Sequence, residues 1–458
     1  MPAKADELVH LKSESDLNLS PRRAEWYTDA LDDESRLLLA EDARYFLHQS
    51  LSTPCLNVLS RCKGVYLQDW QGRRYLDFHG TFVHQVGFGN PAVIEAIKAQ
   101  LDELSFCTRR YTNQVAIELA KKLAHLAPGD LSRVLFCPGG SGAIGIALKL
   151  ARAATGRHKT ISMWDSFHGA SLDAISVGGE QIFRRDIGPL LPGGEHVPPP
   201  DEYRCLWDCG ERGGCDLKCA RYVEYVLAKE GDVAAVIAEP VRSIPYIPQA
   251  EYWQMVRQAC DRYGALLIFD EIPHALGRTG KMFTCEHFGV TPDILVIGKG
   301  LGGGVLPLAA IIARDDLNMA SQQALGHYTH EKNPVLCAAA LATINFIEEN
   351  NLLERTATLG RYALERLRTM MAQQPLIGDV RGLGLLLGVE LVRDKGTKER
   401  AFAEAEQVMY RALRQGLNFK VTMGNVISLT PPLTISQEEL DIGLDILAEC
   451  LTELAPNY

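Results

Sequence analysis

Residues 265–304 read ALLIFDEIPHALGRTGKMFTCEHFGVTPDILVIGKGLGGG. An apolar run from Ala265 to Phe269 delivers Asp270 at its end. About thirty residues later a second run, Ile294 to Ile297, delivers Lys299, followed by Gly300, Gly302, Gly303 and Gly304. Two short apolar runs separated by a crossover predict two strands of a parallel sheet. Both charged residues then leave it at the carboxyl edge, where α/β folds bind ligands. A lysine desolvated there beside an acid suits Schiff-base chemistry. The plainer alternative is a helix-capping aspartate and a solvated loop lysine. The pair together, in this glycine context, argues against it.

Composition sets the frame. The chain has 458 residues, 47% apolar and 23% charged, enough for one large and one smaller domain of a soluble protein. Net charge is −10 and no basic block occurs, so neither nucleic acid nor an anionic membrane has electrostatic support as a partner. The stretch MPAKADELVHLKSESD is polar, without a signal-peptide apolar region, and no apolar run approaches the ~18 residues of a membrane span. A cytoplasmic location is expected.

Four of the twelve cysteines fall together: Cys205, Cys209, Cys215 and Cys219. Four thiols so close could ligate zinc. The C-x3-C-x5-C-x3-C spacing is not the tight two-residue knuckle, however, and no histidine partner accompanies it. The expectation is no metal and free thiols in a surface loop; disulfides fit a cytoplasmic protein least.

Residues 1–50 carry helix-like apolar spacing around Trp26, Leu31 and Leu37–Leu39 and predict a helical arm. Gly64–Asp69 and Arg73–Asp77 predict a hairpin turning at Gln71-Gly72. A helix begins near Pro91. CTRRYT (107–112) sets Arg109 and Arg110 side by side; their guanidinium forks match phosphate or carboxylate, or form a surface pair. Val134–Phe136, then Cys137-Pro138-Gly139-Gly140-Ser141-Gly142, then IGIALKLAR read as strand, glycine loop and helix start. There, free backbone N–H groups and the helix dipole hold a phosphate. Thr160–Met163 and Ala234–Glu239 read as further strands, the first followed by WDSFHG.

These motifs together resemble class III aminotransferases, over roughly residues 50 to 450. The resemblance implies an α/β fold of the pyridoxal-phosphate (PLP) fold type I: a mainly parallel central sheet in a large domain plus a smaller α+β domain. It places an arm at 1–50, the first part of the small domain at 51–90, the PLP-binding domain at 91–335 and the rest of the small domain at 336–458. PLP would be bound covalently by Lys299, with Asp270 keeping its ring nitrogen protonated. Gly140 and Ser141 would hold the phosphate, Phe167 would stack on the ring, and His168, Glu239 and Ile272 would line it. Thr329, in GHYTHEKNP, would reach the phosphate from a neighbouring subunit, so that the site is complete only in a homodimer.

Departures from the family pattern bear on the substrate. Gly142 stands where a glutamate is usual, and Pro273-His274 replaces the usual pair. Ser428 stands where an arginine would clamp an α-carboxylate, and Ile244 falls where an acid would park it. The expected substrate is therefore a small primary amine lacking an α-carboxylate. Its other anionic group would be held by Arg109, Arg110 or Arg242, with His274 and His84 (alongside His79 and Phe82) as further candidate contacts. Within the family, the combined stretches look most like ammonia-lyases of hydroxy-aminoethylphosphonates, which would give phosphonoacetaldehyde and ammonia. An ω-type aminotransferase is the alternative.

Overall fold

The computed structural model describes residues 20–209 and 214–454. The chain forms two units. The smaller takes residues up to Thr81, Gly87–Gly89 and Thr358 onward; the larger takes Phe82–Val86 and Asn90–Ala357.

The smaller unit opens with α1 (Pro21–Asp29) and α2 (Asp33–Tyr45). Ser20 caps the first by accepting from Arg23 N–H, with Pro21 pre-set for the first turn; Asp32 caps the second. Their apolar side chains have a partner. Trp26, Leu31 and Leu39 pack with Tyr75, Tyr410 and Leu413, and the guanidinium groups of Arg73 and Arg414 lie over the Trp26 indole. The arm is thus part of this unit's core, as far as residues 20–45 describe it. β1 (Leu59–Lys63), β2 (Tyr66–Asp69) and β3 (Arg74–Asp77) form an antiparallel meander, with β2 and β3 the hairpin expected from Gln71-Gly72.

In the larger unit, α3 (Pro91–Glu103) starts at its Asn90 cap and α4 (Gln114–Leu126) at its Asn113 cap. Strands and helices then alternate: β4 (Leu131–Cys137), α5 (Gly140–Thr155), β5 (Lys159–Met163), α6 (Leu172–Val177), β6 (Gly194–Val197), α7 (Lys218–Glu230), β7 (Val233–Ala238), α8 (Ala250–Tyr263) and β8 (Leu266–Asp270). After these come β9 (Ile294–Ile297), β10 (Ala309–Arg314) and α9 (Pro334–Glu349). The seven strands lie in the order β4-β10-β9-β8-β7-β5-β6. Only β10 runs against its neighbours; the other pairings are parallel. Every residue of β7, β8 and β9 is buried, as a sheet covered on both faces requires. One face packs on α5 through Ile144, Ala147, Leu148 and Ala151.

The chain returns through α10 (Leu352–Gln373), β11 (Ile377–Leu383), β12 (Leu386–Asp394), β13 (Glu399–Arg400), α11 (Phe402–Arg414), β14 (Leu417–Asn418), β15 (Lys420–Thr422), β16 (Val426–Leu429) and α12 (Gln437–Thr452). β14 joins β3 in parallel, while β11, β12, β16 and β15 form a separate antiparallel sheet. This is the mixed α/β architecture expected from the sequence. Among the described residues no helix is long and apolar enough to cross a membrane.

Candidate active site

Five strands of the larger unit share one direction, and each releases a polar group at its carboxyl end. β4 leads to Gly140-Ser141, β5 to His168, β7 to Glu239, β8 to Asp270 and β9 to Lys299. Residues scattered from 140 to 299 therefore gather along one sheet edge because the crossovers all return the chain to the other edge.

Asp270 is buried on the last residue of β8. One carboxylate oxygen accepts the Ile272 backbone N–H at 3.1 Å; the other accepts the His168 Nδ1–H at 2.8 Å. With its proton on Nδ1, His168 presents Nε2 as an acceptor to the Ser162 hydroxyl, 3.5 Å away. The chain thereby fixes both the position and the tautomer behind the acid.

Lys299 begins a short 3-10 turn with a left-handed backbone, φ +47°. A side-chain-bearing residue held there is strained, as is common where a functional group must be aimed. Its Nζ lies 4.9 Å from the centroid of the Phe82 ring, itself on a left-handed residue. The segment 82–86 rests directly on this turn. A Cβ on Gly300 would fall 2.0 Å from Gln85 Oε1, and one on Gly304 would fall 3.1 Å from the Val83 carbonyl. His84, in the same segment, is fully buried. The glycines after Lys299 are therefore a seat for this segment.

At the head of α5, Gly139 offers no side-chain cap, so the first-turn N–H groups remain available to an anion. The Ser141 hydroxyl accepts the Ala170 N–H at 3.2 Å. A Cβ on Gly169 would stand 2.3 Å from that hydroxyl, and one on Gly140 would stand 3.0 Å from Ile272. Glycine keeps this cradle open. The departure at Gly142 has a local cause: a Cβ there would lie 2.9 Å from the Tyr328 hydroxyl, which sits where a larger side chain would go.

Glu239 accepts three hydrogen bonds, from Arg242 Nη1 at 2.7 Å and from Ser243 through Oγ at 3.0 Å and N–H at 3.3 Å, and His274 Nε2 stands 3.7 Å away. Burial pushes this carboxyl up, but Arg242 and then His274 overcome it and hold Glu239 well below the usual carboxylate range. Arg242 is paired a second time, with Glu180. Both Arg242 and His274 are thus committed to carboxylates, and Glu180, which sequence patterns do not single out, joins the site through Arg242. Glu271, buried beside Asp270, accepts the N–H groups of Thr284 and Cys285, at 2.6 and 2.7 Å.

The remaining candidates are dispersed. Phe167 is partly buried and packs against Phe183 at 4.4 Å between centroids. Arg109 and Arg110 are exposed, with Arg109 donating to His327. Thr329 is exposed on the same loop as His327. His79 and Ser428 belong to the smaller unit; Ser428 is buried in β16 opposite Gly388 and Lys420.

PLP demands an acid for its ring nitrogen, an amine for its carbonyl and an uncapped helix start for its phosphate. Asp270, Lys299 and the Gly140–Ser141 cradle are that donor set, at strand ends along one sheet edge, so the residues fit the cofactor.

Comparison with known proteins gives the same picture. The family model for aminotransferase class-III matches residues 48–451. The chain is 48% identical over 464 residues to the (R)-1-hydroxy-2-aminoethylphosphonate ammonia-lyase of Vibrio splendidus, covering 98% of this chain and 97% of that one. It is 41% identical to a leucine/methionine racemase of Thermococcus litoralis, covering 90% and 94%. Among solved structures, an (S)-enantioselective omega-transaminase from Thermomicrobium roseum superposes with a TM-score of 0.85 at 31% identity, covering 91% and 98%. An amine transaminase from an uncultivated Pseudomonas species, in a PLP-bound form, gives 0.84 at 33% identity, covering 89% and 98%.

Proposed function

The chain belongs to the class III aminotransferase family of PLP-dependent enzymes, and on that premise we propose that it is an ammonia-lyase acting on (R)-1-hydroxy-2-aminoethylphosphonate. The reaction is a net loss of ammonia that leaves phosphonoacetaldehyde. What carries this reading is the 48% identity to the Vibrio lyase over nearly the whole of both chains. Ser428, where an α-carboxylate clamp would stand, supports it from the sequence.

PLP, when bound, withdraws electrons from the carbon next to the substrate nitrogen and so acidifies its C–H. The chain's own groups do the rest. Asp270, locked by His168 and the Ile272 N–H, holds a proton on the ring nitrogen. The Gly140–Ser141 helix start binds the phosphate, while Phe167, Ile272 and Glu239 line the ring. Lys299 would hold the cofactor through its Nζ. The same Nζ would serve as the base for the substrate C–H, and Phe82, 4.9 Å from it, keeps that amine short of water. The substrate hydroxyl on the next carbon leaves, and hydrolysis of the remaining carbon–nitrogen bond frees ammonia. Arg109 and Arg110 meet the phosphonate; Arg242 and His274 act from behind Glu239 as its supports, and His84 underlies the Lys299 turn.

We further infer a cytoplasmic homodimer. The exposed Thr329 then serves the neighbouring subunit's phosphate site, in keeping with its loop lying at the surface of the larger unit.

The test is incubation with (R)-1-hydroxy-2-aminoethylphosphonate and no keto acid. Many turnovers of ammonia and aldehyde are expected. A single turnover that converts the cofactor to its amine form and resumes only on adding a keto acid would overturn the lyase in favour of an ω-type aminotransferase.

A further inference from the structure

The run IGIALKLAR (144–152) sets Gly145, Leu148, Lys149 and Arg152 three or four residues apart in α5, so they share one face of that helix. Space remains beside that face: a cavity of about 210 Å3 lies between it, α6 and the loop that leads into β6. Leu148, Val177 and Leu191 give the cavity apolar walls, while Lys149, Arg152 and Asp173 bring charge to it. Neither Ser141 nor His168, Glu239, Asp270 or Lys299 lines it, so it is separate from the site described above.

Its walls are already anchored. The Leu191 N–H donates to Ser176 Oγ on α6 at 2.9 Å, and the Gly193 carbonyl accepts the Thr160 N–H of β5 at 2.8 Å. Asp173 lies flat on α5, since a Cβ on Gly145 would collide with its Oδ2. Its Oδ1 is taken by the Ser171 hydroxyl and the Ala174 N–H, at 2.5 and 3.0 Å. The two cations are not so committed. Among the described residues neither Lys149 nor Arg152 forms an ion pair, and Arg152 Nε has no hydrogen-bond partner although it is cut off from solvent. A cation in the last turn of α5 also complements the helix dipole, and that role would suffice for Arg152 alone. It leaves unexplained the second cation beside it, the unpaired Nε and the space that both side chains border.

We propose that this cavity binds a small organic anion, with an oxyanion head of the phosphonate or carboxylate kind on a short carbon chain. A guanidinium and an ammonium side by side match such a head, and the unmet hydrogen-bonding capacity of Arg152 is what an oxyanion would satisfy. The aliphatic walls take the chain, and Asp173 disfavours a second anionic end. Size sets the upper limit. About 210 Å3 falls below the ~300–1,000 Å3 of pockets for drug-sized molecules, so a nucleotide does not fit.

The test is hydrogen–deuterium exchange of the PLP-loaded full-length protein, read peptide by peptide. The probes are ethylphosphonate and, separately, propionate, each compared with sodium chloride at equal ionic strength. We expect at least one probe to slow exchange saturably in residues 172–177 and 189–194, and the stronger of the two identifies the head group. In Arg152→Gln the midpoint of this protection should rise by at least about tenfold, the effect of losing one charge-assisted hydrogen bond. Lys149→Gln, which alters an exposed side chain, should raise it by a smaller factor and carries the comparison if Arg152→Gln does not fold. The proposal is overturned if neither probe protects these residues, if sodium chloride protects them equally, or if slowing is confined to active-site peptides such as 299–304. Unchanged midpoints in the folded variants overturn it as well. Neither probe carries an amine, so no outcome bears on the lyase reading.

Discussion

His168 Nδ1 stands 2.8 Å from Asp270 Oδ2, with both side chains shut off from solvent although 102 residues separate them. In so dry a setting the bond fixes which oxygen of Asp270 remains for the cofactor and keeps the acid from rotating. A charge-assisted hydrogen bond of this kind is worth about 1.5–3 kcal/mol. His168→Gln is therefore expected to lower kcat by about 10- to 100-fold and to speed loss of PLP on dialysis. Activity within about twofold of wild type would show that Asp270 holds its place unaided.

Lys299→Ala removes both the covalent anchor and the base. Activity should fall by at least about a thousandfold, in keeping with general-base contributions of 10²–10⁴. PLP should still bind, through Asp270 and the Gly140–Ser141 cradle, but come away on dialysis and resist fixation by borohydride. Turnover above about 1% of wild type would remove Lys299 from the mechanism.

Gly142 and Tyr328 are a matched pair. A Cβ at 142 would meet the Tyr328 hydroxyl at 2.9 Å and its ring carbon at 3.1 Å. Gly142→Ala should destabilise by about 1–3 kcal/mol, the usual cost of overpacking. In a Tyr328→Phe background much of that cost should vanish, because the nearest atom has gone. Equal costs in both backgrounds, measured by denaturant midpoint, would refute the pairing.

Much of this site was legible in the sequence. Contiguous apolar runs such as Ile294–Ile297 mark strands buried on both faces, and the residue that ends such a strand in a parallel sheet must emerge at the carboxyl edge. Asp270 and Lys299 could be placed on that ground alone. Side-chain pairings across crossovers could not. Nothing near Glu180 announces that it meets Arg242, 62 residues on. Nor does the sequence show Gln85 lying under Gly300. The one available signal was the glycine run after Lys299, since glycine in a turn often marks another segment's close approach.

Asp77, in the smaller unit, carries a pH dependence of defined sign. Burial pushes its carboxyl up to about 6, against donations from Asn418 and the His79 and Gly80 N–H groups. A carboxyl whose folded value exceeds its unfolded value near 3.8 favours folding most when protonated. Its contribution is thus complete below about pH 3.8 and is lost as pH rises through about 6. The loss amounts to about 3 kcal/mol. The stability of Asp77→Asn relative to wild type should therefore improve by that order between pH 4 and pH 7. A difference independent of pH would show that the Asp77 carboxyl titrates normally.

Arg109 and Arg110 are exposed, and Arg109 is steadied by its hydrogen bond to His327. If these two cations meet the phosphonate, they contribute to binding rather than to the proton transfers at Lys299. Each should then act on KM far more than on kcat, because an interaction present equally in bound substrate and transition state leaves kcat alone. Loss of one charge-assisted bond of about 1.5–3 kcal/mol predicts a rise in KM of about 10- to 100-fold for Arg109→Ala or Arg110→Ala. Inhibition by inorganic phosphate should weaken in parallel, since the same guanidinium groups would hold it. Arg109→Lys should recover only part of the loss, as an ammonium cannot reproduce a two-pronged contact. An unchanged KM in both alanine variants would move the phosphonate site elsewhere along the sheet edge. A fall in kcat at constant KM would instead place the arginines among the groups that act on the transition state.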